Sequence, residues 1–331
     1  MNRYIFFASV IVLLFSGCST KEVFEPKNVA NDWKRYASIE DEIVDISSNT
    51  ALLESGKVLA KDGTIIATID NEHQRLLGES NGWILSATID GNLTLRATQT
   101  PQLKKSFSLK RTIATASLKD NILAVLFANN EIALYDMGSK EFLFKEQGGR
   151  AIANDIRITQ PYFMNDLVIF STLDGKIIIV NTTLKKRLRT AIVSSADYFN
   201  NIIYFSILDD KIIAASNSKV LALWQKEVRS KFEIRNIVHD ENSIYITTKQ
   251  GEIIALTPSL QEISRVKFPF AHFLGMIIDE KNLYALEKEG YIIVVNKKTF
   301  DYTIYKADFD EGLVFVGEKA FYVDDEKILI K

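Results

Sequence analysis

The feature that most constrains this chain is a recurring pair of short β-branched and aromatic runs joined by a tight turn. One copy is Ile84-Leu85-Ser86-Ala87-Thr88, then Asp90-Gly91, then Asn92-Leu93-Thr94-Leu95. The same unit returns at 167–180 around Asp174-Gly175, at 244–256 around Gln250-Gly251 and at 283–295 around Glu289-Gly290. Weaker copies turn at Ser55-Gly56, Asn129-Asn130, Asn217-Ser218 and Asp324-Asp325. Two-residue hairpin turns need positive φ, which Gly, Asn and Asp supply, while β-branched and aromatic side chains suit packed sheet faces. With Gly56, Gly91, Asn130, Gly175, Ser218, Gly251, Gly290 and Asp325 as anchors, the repeat averages about 38 residues.

That period predicts an all-β fold: an eight-bladed β-propeller of four-stranded antiparallel blades, with seven blades as the competing count. No long amphipathic helix interrupts the pattern from Trp33 onward. After each central hairpin comes a strand of alternating charged and apolar residues, such as Gln102–Leu109, Lys140–Lys145, Lys186–Ile192 and Tyr302–Lys306. These read as outer edge strands, where Lys and Arg discourage sheet-to-sheet association. The last repeat has only three strands before the sequence ends. Lys34–Ile39 is therefore predicted to close the last blade as its outer strand.

The first residues carry a different signal. Arg3 gives a positive start, Ile5 to Leu14 an apolar stretch, and Ser16-Gly17 a small pair before Cys18, the chain's single cysteine. This reads as a lipoprotein signal peptide over 1–17, with Cys18 as the acylated, palmitate-bearing residue. The apolar stretch is too short to span a bilayer, which takes about 20 residues. Residues 18–32 are polar and contain Pro26, the pattern of a flexible tether, and 33–331 form the propeller. Ser19 after the lipidated cysteine is similar to an outer-membrane sorting signal, which sets the expected location at the periplasmic face of the outer membrane. With Cys18 committed to lipid, no thiol remains for a disulfide, a thiolate metal site or a cysteine nucleophile. A net charge of -2 argues against nucleic acid as the main partner.

Residues 158–181, Ile-Thr-Gln-Pro-Tyr-Phe-Met-Asn-Asp-Leu-Val-Ile-Phe-Ser-Thr-Leu-Asp-Gly-Lys-Ile-Ile-Ile-Val-Asn, resemble one repeat of the quinoprotein-like (PQQ-like) propellers. Residues 317–330 share that rhythm. Together with Cys18, the chain resembles the BamB-like propeller lipoproteins of outer-membrane β-barrel assembly. It departs from them in lacking a Trp after each repeat, having only Trp33, Trp83 and Trp224. The resemblance implies a non-enzymatic scaffold that mediates protein interactions in β-barrel assembly and insertion, with the assembly core subunit and other envelope proteins as partners. Two further readings stand beside it: an envelope propeller that binds a small molecule or glycan in its central funnel, and a quinoprotein oxidoreductase.

Chemistry-bearing patterns are sparse. The oxidoreductase reading wants the adjacent cysteine pair, tryptophan platform and calcium site of the quinoprotein enzymes, none recognisable here. His73, His239 and His272 lack metal-ligand spacing. Asp209-Asp210, Asp324-Asp325 and Asp308 with Asp310-Glu311 read as turn residues, without an Asp-x-Asp-x-Asp-Gly loop. Lys185-Lys186-Arg187-Arg189 reads as a solvated outer strand. No catalytic, cofactor or metal residue is therefore assigned. Two aromatic stretches are candidate partner contacts, through Tyr162 and Phe163 in one and Phe268 and Phe270 in the other, because aromatics anchor protein interfaces.

Overall fold

The computed structural model describes residues 22–70 and 73–330, so the expected signal segment and Cys18 lie outside the described residues. Its 32 strands form eight four-stranded sheets, all of antiparallel pairs. Blades 1 to 7 occupy residues 43–68, 75–108, 113–147, 162–192, 204–231, 234–267 and 273–306. Within each blade we call the strands a to d from the axis outward. First strands of neighbouring blades contact one another from blade 1 through blade 4 and from blade 6 through blade 8.

Blade 8 decides how the ring closes. Val314–Val316, Ala320–Val323 and Glu326–Leu329 supply strands a to c, and Tyr36–Ser38 supplies strand d. Tyr36 pairs with Ile328 and Ser38 with Glu326, as the incomplete last repeat predicts. Pairing the two ends of the chain covers an edge that would otherwise offer unpaired backbone groups.

All eight anchor turns fall between strands b and c of their blades. Gly56, Gly91, Asn130 and Gly175 have φ of +80°, +81°, +65° and +79°. At Gly91 the need for glycine is steric as well, since a Cβ there would stand 2.2 Å from the Arg111 carbonyl oxygen. In blade 8 the positive φ falls on Asp324 (+54°), one residue before the expected anchor.

The core consists of apolar clusters between neighbouring blades. Leu123–Phe127 shows why the b and c strands read as nearly unbroken apolar runs. Leu123, Val125 and Phe127 pack toward blade 2, whereas Ala124 and Leu126 pack toward blade 4. Both faces of each blade are covered, so alternation gives way to continuous hydrophobicity. The outer strands retain it: Lys186–Ile192 is exposed except at Ala191. There Arg187 pairs with Glu146 of blade 3, and Arg189 with Glu227 of blade 5 at 2.9 Å.

The described part of the segment read as a tether lies against the propeller. Phe24 is buried in the cluster between blades 6 and 7, edge-on to Tyr291 (5.5 Å between ring centroids) and Phe268 (6.2 Å). Ala30 N–H donates to the Ile304 carbonyl at 2.9 Å, and Asp32 bridges Lys306 in parallel, so residues 30–33 follow the outer strand of blade 7. Trp33 then packs against blade 8.

Candidate interaction surface

Antiparallel order fixes which loops share a face. Each b–c turn lies at the same end of the ring as the connection from strand d to strand a of the next blade, and the a–b and c–d turns lie at the other end. The longest of these connections, residues 148–161 and 193–203, flank blade 4 on one face. Their length produced the two widest spacings between anchor turns, Asn130 to Gly175 and Gly175 to Ser218.

The two loops are stitched together. Phe199 N–H donates to the Ala153 carbonyl at 2.8 Å, and Asp155 N–H to the Asn201 side-chain oxygen at 2.7 Å. The fully buried Asn201 returns its amide hydrogens to the carbonyls of Asp155 and Arg157. Residues 155–161 then lead inward to the first strands of other blades. Arg157 donates to both Asp155 carboxylate oxygens and to Asn217 Oδ1, each at 2.7 Å, and to the Arg235 carbonyl on the inner strand of blade 6. Burial alone would raise the Asp155 carboxyl, but the hydrogen bonds and charge of Arg157 hold it below the ordinary carboxylate range.

Three residues on, the Gln160 amide donates to the carbonyls of Leu77 (3.2 Å, blade 2) and Ala116 (3.0 Å, blade 3), and its oxygen accepts from the Ser48 hydroxyl (3.2 Å, blade 1). One strap thus bonds to the inner strands of blades 2, 3 and 6 and to turns of blades 1 and 5. Gly78 makes room for it, because a Cβ there would stand 2.7 Å from Gln160 Nε2.

The surface above this strap is apolar. Ile156 is 77% exposed, Tyr198 59% and Phe199 55%, with Ile152 exposed beside them. Phe199 has φ +51°, a left-handed conformation unusual for a bulky residue. Next to the patch is a cavity of about 200 Å³ whose lining includes Arg150, Ile152, Leu173, Ile192 and Asn200. A second cavity, about 340 Å³, opens on the other face among Lys61, Asp62, Glu79 and Glu318.

The residues singled out in the sequence separate into two kinds. Tyr162 is 44% exposed on the inner strand of blade 4, with its ring 5.4 Å from that of Phe205, and Phe270 is 58% exposed. Phe163 is half-buried against the cluster between blades 3 and 4, and Phe268 is 2% exposed within the cluster between blades 6 and 7. The Phe268 ring fills the core, whereas Phe163 keeps part of its surface exposed. Tyr162 and Phe270 sit in different blades and do not meet. Ile152, Ile156, Tyr198 and Phe199 went unassigned, although the wide anchor spacings pointed to their loops.

His239 is held between Tyr204 OH (2.5 Å from Nδ1) and Ser206 Oγ (3.0 Å from Nε2). Burial pushes its imidazole below the ordinary range, only partly offset by Asp240. Among the described residues, no group of three or more His, Cys, Asp or Glu side chains is arranged to hold a metal ion. Asp209 and Asp210 form a turn with φ of +50° and +55°.

No family model matches the chain. Two curated relatives, both plasminogen-binding protein PgbB from strains of Helicobacter pylori, are 27% and 26% identical over 97% of this chain and 70% of their own length. Among solved structures, BamB from Moraxella catarrhalis superposes with a TM-score of 0.68 at 12% identity, covering 89% of this chain and 98% of that one. The C-terminal WD40 domain of Sif2 superposes at 0.65 with 11% identity, covering 92% and 100%. At such identities the structural likeness speaks for architecture alone: the chain is an eight-bladed β-propeller.

Proposed function

We propose that this chain is a non-enzymatic, protein-binding propeller of a bacterial envelope, lipid-anchored through Cys18 at the periplasmic face of the outer membrane, where it serves β-barrel assembly. The observation that carries the reading is the apolar surface of residues 148–161 and 193–203, held up by a strap bonded to five blades. Exposed aromatic and aliphatic side chains on a rigid support suit partner recognition, because little conformational entropy is lost on docking. The assembly role rests on the sequence resemblance to BamB-like lipoproteins; the superposition adds only a shared architecture. The funnel-ligand alternative is disfavoured because Gln160 joins the inner strands of blades 2 and 3 to blade 1 where a funnel ligand would sit.

Affinity purification of the full-length protein from crosslinked outer membranes tests this reading. It is expected to recover the barrel-assembly core subunit, and a deletion strain to lose outer-membrane protein levels. Absence of that subunit with unchanged outer-membrane proteins would overturn the assembly role. A second reading, capture of a host protein such as plasminogen, is favoured by the PgbB relatives, whose sequence match spans nearly the whole chain. It predicts that protease added to intact cells cleaves the propeller and that the purified protein retains plasminogen.

A further inference from the structure

We infer that the rim of blades 6 and 7 rests on the lipid surface, so that the propeller stands on one edge with the patch of residues 148–161 and 193–203 held clear of the membrane. The inference builds on lipidation of Cys18 and adds to it an orientation and a lipid-contact surface.

Chain length is the first argument. Only six residue steps separate Cys18 from Phe24, and a fully extended chain spans at most about 3.6 Å per residue, which gives a reach of about 20 Å. Phe24 is no loose end. Its ring is buried between blades 6 and 7, edge-on to Phe268 and Tyr291. An acylated Cys18 therefore keeps this rim, rather than any other part of the ring, close to the headgroups.

The surface around that anchor is the second argument. Tyr302 lies 4.9 Å from the Phe268 ring and is itself exposed. Phe270 projects two residues beyond Phe268, Ile263 is exposed on the outer strand of blade 6, and Val23 and Val29 flank the docked segment. The outer strand of blade 6 also exposes Arg265 and Lys267, with Arg265 paired to Glu252 and Glu262. Here aromatic and aliphatic side chains line up beside the point where a lipid anchor would enter. Such side chains insert shallowly into the headgroup and acyl boundary, where aromatic rings are well accommodated. Lys27, Arg265, Lys267 and Lys306 are balanced by Glu22, Glu25, Glu252 and Glu262, so the contact carries no net charge and needs no anionic lipid. In a ring of eight, blades 2 and 3 stand opposite this rim, and the loops that flank blade 4 lie two to three blades away from it, clear of the headgroups and free for a partner.

The full-length lipoprotein, reconstituted in phosphatidylethanolamine vesicles with brominated acyl chains, tests the orientation. In Phe270→Trp the added tryptophan fluorescence is expected to fall by about half relative to non-brominated vesicles, since an interfacial ring reaches roughly 5–10 Å into the boundary. In Tyr198→Trp it is expected to stay unchanged. Equal quenching of both, or stronger quenching of Tyr198→Trp, overturns the orientation while leaving the anchor intact. Mass spectrometry showing unmodified Cys18 overturns the anchor, and the orientation with it. Should either variant fail to fold by near-ultraviolet circular dichroism, hydrogen exchange on the unsubstituted lipoprotein gives the same reading. Added protection on vesicles over residues 262–270 and 302–306 supports the contact, and its absence overturns it.

Discussion

The indole Nε1 of Trp33 donates to the backbone carbonyl of Leu329 at 3.0 Å, joining residues 296 positions apart at the seam of the ring. The same indole lies edge-on to Tyr305 (5.2 Å) and Tyr284 (6.4 Å), so it bridges blades 7 and 8 just before the chain pairs with Glu326–Leu329. Trp33→Ala removes a half-buried ring and its hydrogen bond, and is expected to destabilise the propeller by about 2–4 kcal/mol. Urea unfolding checks this. Removing residues 22–38 is expected to do more, because Ile328 and its neighbours become an open edge, and concentration-dependent association in sedimentation should follow.

Gln160 and Gly78 form a coupled pair. Gln160→Ala deprives the Leu77 and Ala116 carbonyls of their amide donor, at a cost of about 1–3 kcal/mol. Gly78→Ala puts a Cβ against Gln160 and holds alanine at φ +119°, with a cost of similar size or larger. The double variant is expected to lose less than the sum of the two, by roughly 1 kcal/mol, because truncating Gln160 removes the clash. Strict additivity in denaturant unfolding would contradict the packing described.

The patch on the long loops should matter for binding and little for folding. Ile156→Ser with Phe199→Ser removes two exposed side chains, so the melting temperature is expected to stay within a few degrees while partner recovery falls about 30-fold, the scale of a 2 kcal/mol hot spot. Quantitative crosslinking against Phe163→Leu, which alters a packing ring, separates the two roles. Loss of stability without loss of binding in the patch variant would refute the interface.

His239 gives a pH dependence with a defined sign. Burial depresses its folded-state pKa below the unfolded value of about 6.5, so the unfolded chain binds the proton first. The stability contributed by neutral His239 is full above pH 6.5 and is lost as pH falls from there toward the depressed folded value. Unfolding midpoints between pH 8 and 5 should therefore drop for the natural protein and drop less for His239→Gln.

Glu326 predicts the opposite trend. Burial, with Asp310, Asp325, Asp308 and Asp324 around it, raises its carboxyl, and Oε2 has no hydrogen-bond partner. The folded state binds this proton more tightly, so its ionisation lowers stability as pH rises above the unfolded glutamate value. Glu326→Gln is expected to raise the melting temperature at pH 7 and to change little at pH 4, which differential scanning calorimetry can follow.

The sequence by itself determined the repeat and the closing strand, because each rests on local chemistry, while the choice of eight blades over seven was settled by the strand pairing. Positive-φ turns at Gly56, Gly91 and Gly175 punctuate apolar runs, and charged outer strands such as Lys186–Ile192 announce which edge meets water. A missing fourth strand at the C-terminus then implied a donor near the N-terminus. What local pattern could not contain, the tertiary structure decided. Phe268 reads as an interface aromatic but packs in the core, since burial depends on which blade lies alongside. Gln160 reaches partners 44, 83 and 112 residues away, a relationship that exists only once the ring has formed. Phe24 reads as part of a polar tether, yet its ring fills a gap that blades 6 and 7 create only by packing against each other.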